Sequence, residues 1–168
     1  MKADRARRTI AREMDDEALR RLLDQTERHG GLAAWAWDPR DPGRYPWSLG
    51  MQRLLDLPPP DGRNDVEQFF ARIHPEDRDR IRAAYDGVER EGSIPEASFR
   101  SLHRDGTVVH LRSSGVLLQR GDGTRVFLGT LLDVTERVSL EAKLVEAERS
   151  RAAAQLAAGV AQIGRAHV

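Results

Sequence analysis

Five histidines and a large set of carboxylates are the residues here that could do chemistry, and no cysteine accompanies them. Without thiols there is no disulfide, no thiolate metal site and no cysteinyl adduct to a cofactor. Imidazoles can still ligate a metal, or work as acid and base near neutral pH. His103 and His110 stand seven residues apart across an Asp105-Gly106 turn, so on paired strands they could face each other. A zinc site there needs a third protein ligand, and none falls at ligand spacing. We expect two packed or exposed histidines and no metal. No Gly-rich phosphate loop occurs, nor a convergent set of nucleophile, base and orienting acid. The chain as it stands is expected not to be an enzyme.

The totals narrow the partners. Lys plus Arg is 27 and Asp plus Glu is 27, so the charges cancel. No net field argues for nucleic acid or an anionic membrane. No apolar run approaches the ~20 residues that span a bilayer, and the N-terminus lacks a signal-peptide apolar core. A cytoplasmic location is expected. A length of 168 residues suffices for one ordinary domain with flanking helices.

The elements that must position these residues follow from the periods. Ala3 to about His29 places Ile10, Met14, Leu19, Leu22 and Leu23 mostly at helical spacing, and Gly30-Gly31 stops it. Leu32 to Asp38 is a strand, Tyr45 to Ser48 a short second strand. Three short helices follow, over Leu49–Leu57, Asp65–Ile73 and His74–Glu91, the first stopped by Pro58-Pro59-Pro60. Ile94–His103 and Thr107–Gln119 are strands joined by Asp105-Gly106. Over 124–134, Val126, Leu128 and Leu132 alternate with Phe127, Gly129 and Leu131. Apolar residues on both faces predict a central strand. The period then turns helical at once, with Thr135 or Asp133 as cap.

The ordered set Trp35-Ala36-Trp37-Asp38, Trp47-Ser48-Leu49-Gly50, His74-Pro75-Glu76-Asp77-Arg78, Phe99-Arg100, Arg104-Asp105-Gly106 and Gly129 with Asp133-Val134-Thr135-Glu136-Arg137 resembles PAS domains of bacterial sensory proteins. The resemblance implies an α+β fold. A five-stranded antiparallel sheet of order 2-1-5-4-3 would carry helices on one face and be flanked by N- and C-terminal amphipathic helices. It implies a signalling hinge at Asp133, Thr135, Glu136 and Arg137, where the core hands off to an output helix. It also implies an internal pocket that could hold a small apolar ligand. Candidates for its wall are Trp35, Trp37, Phe69, Phe70, Tyr85, Phe99 and Phe127; each can equally be ordinary core packing. The flavin photosensors of this fold that form a cysteinyl adduct are excluded. A haem sensor would need an axial histidine on the long helix of the insert, and His74 matches the family's structural histidine instead. No cofactor is expected.

The outgoing helix carries Val138, Ala142, Val145, Arg149, Ala152, Leu156 and Gly159 in steps of four and three. That is a weak heptad seam, and a homodimer through the flanking helices is expected. Gln155 to Ala161 resembles the lead-in to the dimerisation helix of sensor histidine kinases, with Gln162 where that family has its phosphoacceptor histidine. Ile163 to Val168 matches the in-frame translation of a common sequencing adapter, so His167 is not expected to be the phosphoacceptor. The expected organisation is an N-terminal helix over 1–30, the PAS domain over 31–137, an output helix over 138–161 and a non-native tail over 162–168. A kinase core is expected beyond it. The alternative is a binding or dimerisation module for another output, such as a cyclase or a chemotaxis-type partner.

Overall fold

The computed structural model describes residues 21, 25, 31–38, 40–41, 47–58, 66–86, 92–119 and 123–166, with side chains to residue 158. The elements are β1 (Leu32–Trp37), α1 (Leu49–Leu55), α2 (Val66–Arg72), α3 (Pro75–Asp86), β2 (Ser93–Leu102), β3 (Val108–Gln119), β4 (Arg125–Asp133) and α4 (Thr135–Ala166). Of the expected N-terminal helix only Arg21 and Gln25 are described; both are helical and exposed.

The strands form one antiparallel sheet of order β1-β4-β3-β2. The expected α+β class holds, and the sheet order is the expected one less its outermost strand. Among the described residues the sheet therefore has four strands, not five. Trp47 and Ser48, half of the expected second strand, are not extended ladder; Tyr45 and Pro46 lie outside the described residues. Ser48 does another job. Its hydroxyl accepts the Met51 N–H at 3.2 Å as the cap of α1 and donates to the Ala34 carbonyl of β1 at 3.1 Å. A cap residue satisfies helix donors that would otherwise be orphaned, so the side chain ties helix to sheet where a ladder was expected.

The strands with apolar residues on both faces, β3 and β4, are the two inner ones. β2 lies at the sheet's edge and tolerates Pro95, at which the register with β3 shifts. α1 stops earlier than the Pro58 signal implied. Asp56 adopts φ +48°, and the Asp56 and Leu57 N–H groups return to the carbonyls of Arg53 and Gln52. This is the glycine-type helix stop built with an aspartate.

Helices α1 to α3 bury Met51, Leu55, Phe69, Phe70 and Ile81 against the sheet face that carries Trp35, Phe99, Leu111, Phe127 and Leu131. The chain separates into two compact units, Met1–Val134 and Thr135–Val168. α4 is thus a unit of its own, and it runs to Ala166, past the expected limit at residue 161. Among the described residues no helix is long and apolar enough to cross a membrane.

Candidate functional site

The site grows from two glycines. Gly115 of β3 and Gly129 of β4 are cross-strand partners, and Trp35 of β1 pairs with Gly129 in turn. The Trp35 indole lies over both. A Cβ on Gly129 would overlap Trp35 Cζ2 and the Ser114 carbonyl oxygen; one on Gly115 would come within 2.9 Å of Trp35 Cη2 and of the Leu128 carbonyl oxygen. Only glycine leaves room for the indole to lie this close to the sheet.

Aromatic rings continue the wall. Trp37 stacks on Phe127 with centroids 5.4 Å apart. Phe69 meets Phe70 at 5.2 Å, Tyr85 at 5.5 Å and Phe99 at 6.0 Å. Tyr85 in turn faces Trp35 at 6.4 Å. Offset and edge-to-face pairs of this kind are favourable beyond their buried area. Of the seven expected wall residues, Trp35, Trp37, Phe69 and Tyr85 line a cleft. Phe70, Phe99 and Phe127 are buried in the core behind it. Trp47, Met51 and Val66 complete the lining and were not anticipated. Trp47 could have been found from its Trp-Ser pair at a helix start; Met51 and Val66 carry no such signal.

The cleft encloses a cavity of about 20 Å³, room for one water-sized group. Two of the lining residues, Trp37 and Trp47, have indole N–H groups that are buried and unbonded. Burial pushes the Tyr85 hydroxyl up to about 12, and the nearby Ser113 hydroxyl offsets part of that rise. Their contact stops short of hydrogen-bond geometry, since Ser113 Oγ has no partner.

Ion pairs brace the outside of the helical layer. Arg100 of β2 gives its backbone N–H and Nε to Asp77 Oδ2, each at 2.9 Å, and its Nη2 to Asp77 Oδ1 and Glu76 Oε2. The Arg100 side chain holds the Asp77 carboxyl down at about 2. Arg104 grips Asp56 in the same way, through backbone N–H and guanidinium, and holds its carboxyl well below the usual range. Arg82 joins Glu67 and lies 4.2 Å over the Phe70 ring.

The histidines are placed apart. His74 Nδ1 accepts the Glu76 N–H, and the His74 backbone N–H donates to the Arg100 carbonyl. His103 Nε2 contacts the Leu54 carbonyl at 3.1 Å. His110 pairs with Arg100 across the β2–β3 ladder, so His103 and His110 do not face each other.

At the expected hinge, the Asp133 N–H donates to the Gly31 carbonyl at 2.7 Å and the Val134 N–H to the His110 carbonyl at 2.8 Å. Val134 is buried. α4 begins at the next residue, Thr135, with Glu136 in its first turn, and Arg137 lies 3.7 Å from Glu141 one turn on. The sheet's last backbone bonds therefore end where the helix starts.

A family model described as the PAS fold matches residues 45–131. The chain belongs to the PAS fold family. Solved structures agree on this PAS domain's fold. A sensory box histidine kinase/response regulator from Burkholderia thailandensis is 22% identical with TM-score 0.53, over 79% of this chain and 97% of that one. The N-terminal domain of a diguanylate cyclase with PAS/PAC sensor from Marinobacter aquaeolei is 23% identical with TM-score 0.51, over 63% and 96%. The PAS domain of a Colwellia psychrerythraea protein is 19% identical with TM-score 0.50, over 70% and 98%. A sequence search among curated proteins gives no match.

Proposed function

We propose that the chain is a cytoplasmic PAS sensory module that relays the state of its core to α4. The observation that carries this reading is the junction at Asp133 and Val134. Two backbone bonds fix β4 to Gly31 and to His110, and the helix starts at the following residue. A shift of β4 within the sheet has no loop in which to dissipate. Asp133, Thr135, Glu136 and Arg137 are the hinge of this relay, biasing two arrangements of α4. The output is a homodimeric helix pair leading into a histidine kinase, favoured over other outputs by the resemblance of Gln155 to Ala161 to that family's dimerisation helix. A cyclase output is the second reading, since one structural neighbour is a domain of a diguanylate cyclase.

The absence of cysteine allows a direct test. Single cysteines placed along α4 in the full chain will cross-link under mild oxidation with heptad periodicity, strongest at Val145→Cys. Adding Asp133→Ala will change that pattern. Cross-linking that is uniform along α4, or that ignores Asp133, would rule the relay out.

A further inference from the structure

We propose that α4 carries a second seam for pairing with another copy of this chain, formed by Leu140, Leu144, Ala147, Ala154 and Ala158, and that the two arrangements biased at the hinge are pairing through one seam or through the other. The inference rests on the relay reading above and says what its two arrangements are. Helix phase sets the seams apart. Val138, Ala142, Val145, Arg149, Ala152 and Leu156 advance in steps of four and three. Leu140, Leu144, Ala147, Arg151, Ala154 and Ala158 repeat the same steps, beginning two residues later. Two residues turn an α-helix by about 200°, so the seams lie on nearly opposite faces. A helix with one neighbour needs one apolar stripe; a second stripe left in water marks a second contact. Leu140 and Leu144 are each more than half exposed, and every residue from 139 to 158 is exposed.

Charge selects the occupant. In a parallel, in-register pair the residues that flank a seam on one helix meet those that flank it on the other, and these contacts decide partner and orientation. At the second seam Lys143 meets Glu148 of the other copy, and symmetry makes the contact twice. At the first seam Glu141 meets Glu146 of the other copy, a like-charge contact. The second seam also sets Glu136 against Glu141, but Arg137 lies 3.7 Å from Glu141 and offsets that clash. Lys143 and Glu148 make the second stripe complementary to itself, which fits another copy of the same helix. The arginines rank the two. Arg149 alone interrupts the first seam, while Arg137 and Arg151 interrupt the second, and a parallel pair brings each against its own mate. The first seam is therefore the resting one, and the second fills only when the junction favours it.

Single cysteines in the full chain report the seams separately, since the chain has none of its own. Val145→Cys lies in the first seam and Ala147→Cys in the second. With no other change, disulfide cross-linking between copies is expected to be strong at Val145→Cys and weak at Ala147→Cys. Arg151→Leu adds a leucine to the second seam and lies outside the first. It should move the ratio of the two cross-links towards Ala147→Cys by about ten-fold or more. Lys143→Glu in that background should reverse about three-fold of the shift, the size of two exposed charge pairs. Glu146→Lys, which turns the like-charge contact of the first seam into an attractive one, should favour Val145→Cys. A ratio that ignores Arg151→Leu, or that follows Lys143→Glu no more than Glu146→Lys, would overturn the proposal. Failure of the relay looks different. If Arg151→Leu moves the ratio and Asp133→Ala does not, the second seam stands and the relay falls. If Asp133→Ala alters cross-linking along α4 while the ratio stays fixed in every variant, the relay stands and this inference falls.

Discussion

The sheet with its helices and the outgoing helix treat apolar side chains in opposite ways. In the first unit Phe127, Leu111, Ile73 and Leu55 are wholly buried by neighbours distant in sequence. In α4, Leu140, Leu144, Val145 and Leu156 are 57%, 61%, 48% and 73% exposed. The first unit completes its core within one chain. A long helix gains little from propensity alone and draws most of its stability from packing an apolar face. The contrast teaches that the first unit buries its apolar side chains among its own elements, while α4 leaves large ones exposed. That is the division of labour the proposed relay would need.

The largest expected effect falls on the glycine floor. Gly129→Ala forces a methyl into Trp35 and the Ser114 carbonyl, so the loss should be about 3 kcal/mol or more. Urea denaturation read by tryptophan fluorescence checks it; a loss below about 1 kcal/mol would mean that Trp35 is not seated as described.

Next comes the brace. Asp77→Ala leaves Arg100 without its main partner and should cost about 2 kcal/mol at neutral pH. The sign with pH follows from the folded value of about 2 against an ordinary 3.8. Ionised Asp77 contributes fully above the ordinary value, and the contribution is lost as pH falls towards 2. The gap between wild type and variant should therefore close between roughly pH 4 and pH 2. A gap that persists at the acid end would show that Arg100 is not its cause.

Val145→Lys tests the other unit. It should convert the proposed helix-paired dimer to monomer in analytical ultracentrifugation and leave the stability of the core within about 0.5 kcal/mol. Equal loss from both units would erase the contrast. The smallest effect is Arg137→Ala, whose exposed pair with Glu141 should contribute no more than about 0.5 kcal/mol.

Much of this was legible beforehand because it is local. Phe127 and Leu131 alternating with Val126 and Leu128 marked β4 as an inner strand, and Asp105-Gly106 marked the β2–β3 turn, where Gly106 takes φ +87°. The family resemblance located the junction at Asp133. What stayed hidden depends on register or on side chains with two roles. Gly115 and Gly129 mean little until the ladder sets them side by side beneath Trp35. Ser48 fits a strand as well as a cap until its hydroxyl is seen to bridge Met51 and Ala34. Asp56 hides a helix stop that a glycine would have announced, because Arg104 holds it from another part of the chain. Met51 and Val66 reach the cleft only through the packing of α1 and α2.

The bond from the Asp133 N–H to the Gly31 carbonyl joins the residue that closes the sheet to the one that precedes it. Gly31 takes φ +81°, and a Cβ there would lie 3.8 Å from Asp133 Cβ. The described sheet thus begins and ends at one spot. A unit with that property can be spliced between two other segments, or copied in tandem, without prising its hosts apart.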